Sequence, residues 1–110
     1  MNIMDLEDKA DEAAEFLSLL GSPQRLRLLC LLIQGEMSVG ELADATKTRQ
    51  SVVSQHLALL RAHKVVSTRR EGTSIFYSIE DPAARAMIET LHRIYCEPAK
   101  ARGKKPARKK

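Results

Sequence analysis

The chain has no tryptophan and only two phenylalanines and two tyrosines. Leucine, isoleucine, valine and alanine must therefore fill its core, and 110 residues support one small core that is marginal alone. Long apolar runs are missing as well. The longest, Leu28 to Ile33, falls far short of the roughly 20 residues that cross a bilayer. The first residues are acidic instead of basic and then apolar, so neither an anchor nor a leader is expected and the chain reads as cytoplasmic. Two cysteines make no disulfide framework in that compartment. They are either core filler or chemistry. No glycine-rich loop or oriented base accompanies them, which argues against a small thiol enzyme built on Cys96 and His92.

The most informative absence is local. No acidic residue occurs from Lys47 to Arg70, in a body that is otherwise acidic through Asp5, Glu7, Asp8, Asp11, Glu12 and Glu15. The overall charge of +4 hides this contrast, because the last fourteen residues contribute +6 and leave residues 1–96 at −2. Within the acid-free interval, a helix over about Gln50 to Ala62 would place Val53, Leu57 and Leu60 on one apolar stripe. Its other face carries Ser51, Ser54, Gln55 and Ala58, all small or polar and none charged. Short hydrogen-bonding side chains of this kind can approach base edges in a major groove, where glutamine and serine both donate and accept. Lys47, Arg49, Arg61, Lys64, Arg69 and Arg70 surround that face as a collar suited to phosphates. A plain solvated helix would carry Glu and Lys instead.

The remaining elements frame this helix. Asp5 to about Leu20 has a helical pattern with Leu6, Ala10, Ala13, Ala14 and Leu17 on one side. Gly21 ends it, Ser22 caps the next helix and Pro23 occupies its first position. That second helix, to about Gln34, is apolar on two faces and belongs at the centre of the domain. Ser38 with Glu41 forms a capping box opening a third helix, Val39 to Ala45, and the turn Thr46-Lys47-Thr48 leads into the fourth. Strands are expected at Val65 to Arg69 and Ser74 to Ile79, joined across Arg70-Glu71-Gly72-Thr73 with Gly72 supplying a positive φ. Asp81 and Pro82 open a last helix whose apolar stripe is Ala84, Met87, Ile88, Leu91 and Tyr95. The fold class is thus mainly α with a β-hairpin wing, a winged helix-turn-helix over residues 1–96. Residues 97–110 form a basic tail expected to be disordered.

The runs SVVSQHLALLR and RREGTSIFYSI, with Val65-Val66 between them, resemble the arsenic-repressor (ArsR/SmtB) family of bacterial winged helix-turn-helix repressors. The resemblance covers about Ala10 to Cys96. It implies a homodimer formed through the first and last helices, bound to a double-stranded operator that is an imperfect palindrome. Lys47, Arg49, Gln50, Ser51, Ser54, Gln55, His56, Arg69, Arg70 and Thr73 are the expected DNA contacts. No cofactor and no enzymatic activity are implied. A constitutive architectural binder driven by the basic tail would instead hold any duplex with nearly equal affinity.

The two cysteines separate the branches of that family. Taken from the residues alone, Cys30 among Leu26, Leu29 and Ile33 reads as core filler. Cys96 lies off the apolar stripe beside Glu89, His92 and Arg93, at a helix end where exposure is expected. His63 reads as a solvated or capping residue at the exit of the fourth helix. The flanks RLRLLCLLIQGEMSVGELA and LHRIYC resemble the sulfide- and persulfide-responsive dithiol branch, and that resemblance implies that Cys30 and Cys96 form a disulfide or polysulfide bridge in response to reactive sulfur or another oxidant. The alternative is a metal- or metalloid-responsive repressor of the same family. Such sensors carry a Cys-x-Cys pair at the start of the third helix or a histidine and carboxylate set on the last, and this chain has neither.

Overall fold

A computed structural model describes residues 3–96, and the expected basic tail, 97–110, lies outside the described residues. The order of elements is α1 Ile3–Leu20, α2 Pro23–Leu32, β1 Met37–Ser38, α3 Val39–Thr46, α4 Gln50–Ala62, β2 Val66–Glu71, β3 Ser74–Ile79 and α5 Pro82–Tyr95. Helix α2 is central and packs against α3, α4, α5 and β3. Leu28, Leu29 and Leu32 are buried there, joined by Leu42, Val53, Leu57 and Leu60 from α3 and α4 and by Ala84 and Ile88 from α5. A two-faced apolar helix has to be enclosed in this way, because either face left in water would forfeit its burial.

The helix starts follow the side-chain chemistry. Ser22 Oγ accepts from the Arg25 amide at 3.3 Å with Pro23 behind it, and Asp81 Oδ1 accepts from the Ala83 amide at 2.9 Å with Pro82 behind it. At α3 both halves of the capping box form, Ser38 Oγ accepting from the Glu41 amide and Glu41 Oε1 from the Ser38 amide. The helix ends are more unusual. Lys47 after α3 and Lys64 after α4 both sit in the left-handed region, at φ 54° and 63°. In each case the next amide reaches five residues back, Thr48 to Ala43 and Val65 to Leu60, which satisfies carbonyls the helix leaves open.

The sheet has three antiparallel strands in the order β1-β3-β2, one more than the expected hairpin. Strand β1 is only two residues, Met37 opposite Tyr77 and Ser38 opposite Phe76, too short to produce an alternating pattern in sequence. The hairpin loop is also tighter than expected. Glu71 pairs with Ser74, so β2 continues through Arg70 and Glu71 and only Gly72 and Thr73 turn the chain, Gly72 at φ 63°.

Two expected apolar stripes differ from what packs. In α1 the residues packed with the core are Phe16, Leu19 and Leu20, whereas Leu17 is half exposed and Ala10 and Ala14 are exposed. On α5, Ala84 and Ile88 are buried but Tyr95 is 70% exposed and Ile94 is exposed too. The apolar surface at these two helices therefore exceeds what one chain buries. No described helix is long and apolar enough to cross a membrane.

Candidate nucleic-acid interface and thiol groove

Helix α4 is held by Val53, Leu57 and Leu60, all essentially inaccessible to solvent, so its opposite face is fixed outward. Ser51, Ser54, Gln55 and Ala58 lie on that face and are exposed. The structure thus brings the four uncharged residues together on one open surface. Lys47 and Arg49, also exposed, stand at its N-terminal end. Gln50 is exposed at the first position of α4, its amide about 3.6 Å from where a Cβ on Gly40 would lie, so it spans towards the start of α3. Thr73 stands exposed at the wing tip.

Two expected phosphate contacts are placed differently. The Arg69 Nε donates to Glu36 Oε1 at 3.0 Å and Oε2 at 3.2 Å, its Nη2 also meets Glu36 Oε1, and its Nη1 donates to Glu71 Oε1 at 3.2 Å. The guanidinium lies 5.1 Å from the centre of the Phe76 ring, its partner across the strands. Arg69 is thereby a clasp between the wing and the loop after α2, and Glu36 accepts from it strongly enough to hold its carboxyl below the usual range. Alternation along β2 puts Arg69 and Glu71 on one face and Arg70 on the other. The Arg70 side chain is exposed and has no hydrogen bond or ion pair among the described residues, so it remains available to a phosphate.

His56 also turns inward. It is half-buried, and its Nδ1 is 3.4 Å from Arg25 Nη1. Arginine can only donate, so this nitrogen accepts and the ring proton sits on Nε2. Burial, and then the Arg25 charge, push the imidazole below its ordinary pKa and keep it neutral. Arg25 in turn donates to the Leu19 carbonyl at 2.6 Å, which ties α4 to the end of α1. His56 therefore supports the recognition helix instead of extending its surface. His63 caps the end of α4 and is exposed, as its position suggested.

An open groove of about 640 Å³ lies where α2, the end of α3 with its following turn, and the end of α5 meet. Cys30 of α2 and Cys96 at the end of α5 both line it, and both are free thiols, Cys30 half-buried and Cys96 exposed. Burial raises the Cys30 thiol above its ordinary pKa, and the nearby Cys96 adds to that. Arg27, Gln34, Thr46, Lys47 and His92 give it a polar wall, over an apolar surface from Leu26, Leu31 and Ala45. The turn residues Thr46 and Lys47 thus belong to this groove as well as to the approach to α4. Sequence reasoning missed Glu36 and Arg25, whose side-chain partners Arg69 and His56 are distant in the chain, and Arg27, which only the meeting of separate segments places in the groove. Among the described residues no group of three or more His, Cys, Asp or Glu side chains is arranged to hold a metal ion.

The chain and its winged helix-turn-helix fold are similar to those of known regulators. The family described as bacterial regulatory protein, arsR family, matches residues 22–68. The transcriptional activator HlyU of Vibrio cholerae is 41% identical over 97 residues, spanning 88% of this chain and 90% of that one, and its reduced form superposes with a TM-score of 0.80 over 84% and 98% of the two chains. The chain belongs to the ArsR family. The biofilm growth-associated repressor of Agrobacterium fabrum is 45% identical over 93 residues, 84% of this chain and 80% of that one. The solved repressor BigR from Xylella fastidiosa has a TM-score of 0.80 at 39% identity, over 89% of this chain and all of that one. As an ArsR-family winged-helix protein, the chain is a transcriptional regulator and not an enzyme.

Proposed function

We propose that this regulator is a homodimeric repressor that binds an imperfect palindromic operator and releases it when Cys30 and Cys96 become bridged by a disulfide or polysulfide. The genes it governs would serve sulfide oxidation or detoxification. The observation that carries the reading is the shared groove: both thiols line one open space whose wall includes the turn between α3 and α4. A bridge there has to draw α2 and the end of α5 to a set separation. Lys47 and Thr46, being part of the same wall, would shift with it, and the angle at which α4 enters a groove of DNA would change. That a Vibrio cholerae relative has been solved in a form named as reduced supports thiol chemistry at this fold. The exposed Leu17 and Tyr95, on helices α1 and α5, support a dimer made through those helices.

On DNA, Ser51, Ser54 and Gln55 would read base edges, while Lys47, Arg49, Arg70 and Thr73 would hold the backbone. A two-fold dimer places its recognition helices about one helical turn apart, so half-site centres are expected roughly 10 bp apart. The test is a footprint combined with intact-protein mass. Reduced protein is expected to protect two half-sites, and persulfide to release it while adding an intramolecular bridge to each chain. Protection of a single half-site by a monomer would contradict the dimer. Release by stoichiometric zinc without any oxidant would favour a metal-responsive regulator.

A further inference from the structure

The recognition helix is braced from the side by one charged residue of α2. The Arg25 Nε donates to the Leu19 carbonyl at 2.6 Å and its Nη2 to the Ser18 carbonyl at 3.5 Å, both in the last turn of α1, while Nη1 lies 3.4 Å from His56 Nδ1 on α4. The last carbonyls of a helix have no partner within it and form its negative pole, so they hold a guanidinium in place. Arg25 is thus tethered. It can only donate, and its contact with α4 exists only while Nδ1 carries no proton. A proton on Nδ1 would set two cations against each other across 3.4 Å.

The other charges nearby do not relieve that repulsion. Glu12 and Glu15 of α1 and His63 at the end of α4 share a surface recess with Arg25, but none forms a hydrogen bond or ion pair with Arg25 or His56 among the described residues. Along α4 the residues one turn away from His56 are Val52, Val53, Leu59 and Leu60, all apolar. Helix α3 and strand β2, which also pack on α4, bring no charge that acts on the ring. We propose that Arg25 and His56 are positioning residues for operator recognition, a strut that fixes α4 to the end of α1 while the ring is neutral and lets go when it takes up a proton, so that operator affinity falls in acid. This rests on α4 being the helix that reads bases, and it needs no thiol chemistry. Burial and the Arg25 charge hold the ring below its ordinary pKa, so the loss begins below pH 6.5 and deepens as the pH falls through the folded value. Val53, Leu57 and Leu60 stay buried throughout, so α4 loses its lateral brace and not its place in the core. A helix that holds its competent angle only part of the time binds with an affinity lowered by that fraction.

The test uses the reduced full chain and a duplex selected by that protein from a random pool at neutral pH. Affinity is followed by anisotropy from about pH 7.5 to about pH 5.5 at constant ionic strength. The parent is expected to lose about threefold or more over that range. His56→Asn, whose side-chain oxygen can accept in place of Nδ1 but does not titrate, is expected to match the parent at neutral pH and to keep its affinity in acid. Arg25→Gln is expected to start weaker, because the α1 carbonyls lose a charged donor, and likewise to show no acid loss. Melting temperatures at each pH check that every variant is folded. A gain in parent affinity on acidification would mean that His56 meets a phosphate and would overturn the strut, as would an undiminished acid loss in folded His56→Asn. Gln55→Ala keeps the underlying reading separate: a weaker grip by the same factor at every pH supports a reading face that the strut merely positions, whereas parental affinity for the selected duplex would remove α4 as the reader and the strut with it.

Discussion

The outward face of α4 and the thiol groove differ in charge and in construction, though a single turn belongs to both. One is uncharged, exposed and carried by a helix clamped on three buried residues. The other is open, bordered by cations, and assembled from three separate segments of the chain. A reading surface has to be rigid and free of charges that would bind every phosphate alike, so it is built on one secondary element. A responsive site would have to join elements that can move relative to one another, and the groove lies between separate elements. On the proposed reading, recognition and response are separated by the fold and, among the described residues, meet at Thr46 and Lys47.

The strongest way to break that separation is through the thiols. Cys30→Ser and Cys96→Ser are each expected to abolish release by persulfide completely while leaving operator affinity of the reduced protein near its original value, measured by anisotropy before and after treatment. A large loss of affinity in either untreated variant would mean that the groove also shapes the reading face. Next in size, Gln55→Ala and Ser54→Ala are each expected to cost about 1 to 3 kcal/mol on the operator, with little loss on random duplex. Equal losses on both duplexes would remove base reading from this face.

Adjacent arginines on β2 sharpen the contrast on a smaller scale. Arg70→Ala is expected to lower the slope of log affinity against log salt by about one, since one phosphate contact is lost. Arg69→Ala, and also Glu36→Gln, should weaken binding by loosening the wing without changing that slope, because the Arg69 charge is already held by carboxylates. A rise in affinity and slope for Glu36→Gln would mean that Arg69 turns to DNA once released.

The smallest effect is that of acid. The imidazole of His56 sits below its ordinary pKa of 6.5 in the folded chain, so the unfolded chain takes up its proton first. Its contribution to stability is present above pH 6.5 and fades as the pH falls from there through the folded value. Melting curves at descending pH are expected to show a modest decline that His56→Gln reduces. An unchanged decline in that variant would place the sensitivity elsewhere.

How much of this was legible in sequence depended on the range of the interaction. The caps at Ser22, Ser38 and Asp81 act within three residues, so a local pattern specifies them and the structure forms each one. The outward set on α4 is legible for the same reason, since helical periodicity alone puts it opposite Val53, Leu57 and Leu60. Arg69 could not be read correctly, because its main partner lies 33 residues away on a loop whose pairing register no short window contains. The two-residue strand β1 and the cationic rim of the groove were hidden in the same way. Leu17 and Tyr95 were assigned to apolar stripes by periodicity, which finds a face but not what covers it.

Lysine at positions 47 and 64 deserves a last consequence. A residue with a Cβ is disfavoured in the left-handed region by about 1 kcal/mol, and glycine is the usual occupant of such helix ends. Both ends of the recognition helix are therefore bordered by positions where the backbone would prefer no side chain at all, yet each carries an ammonium group. Lys64→Gly is expected to melt slightly higher than the parent and to bind every duplex more weakly. The chain would then rank among proteins that sacrifice thermal margin for grip, with the compromise written in two dihedral angles.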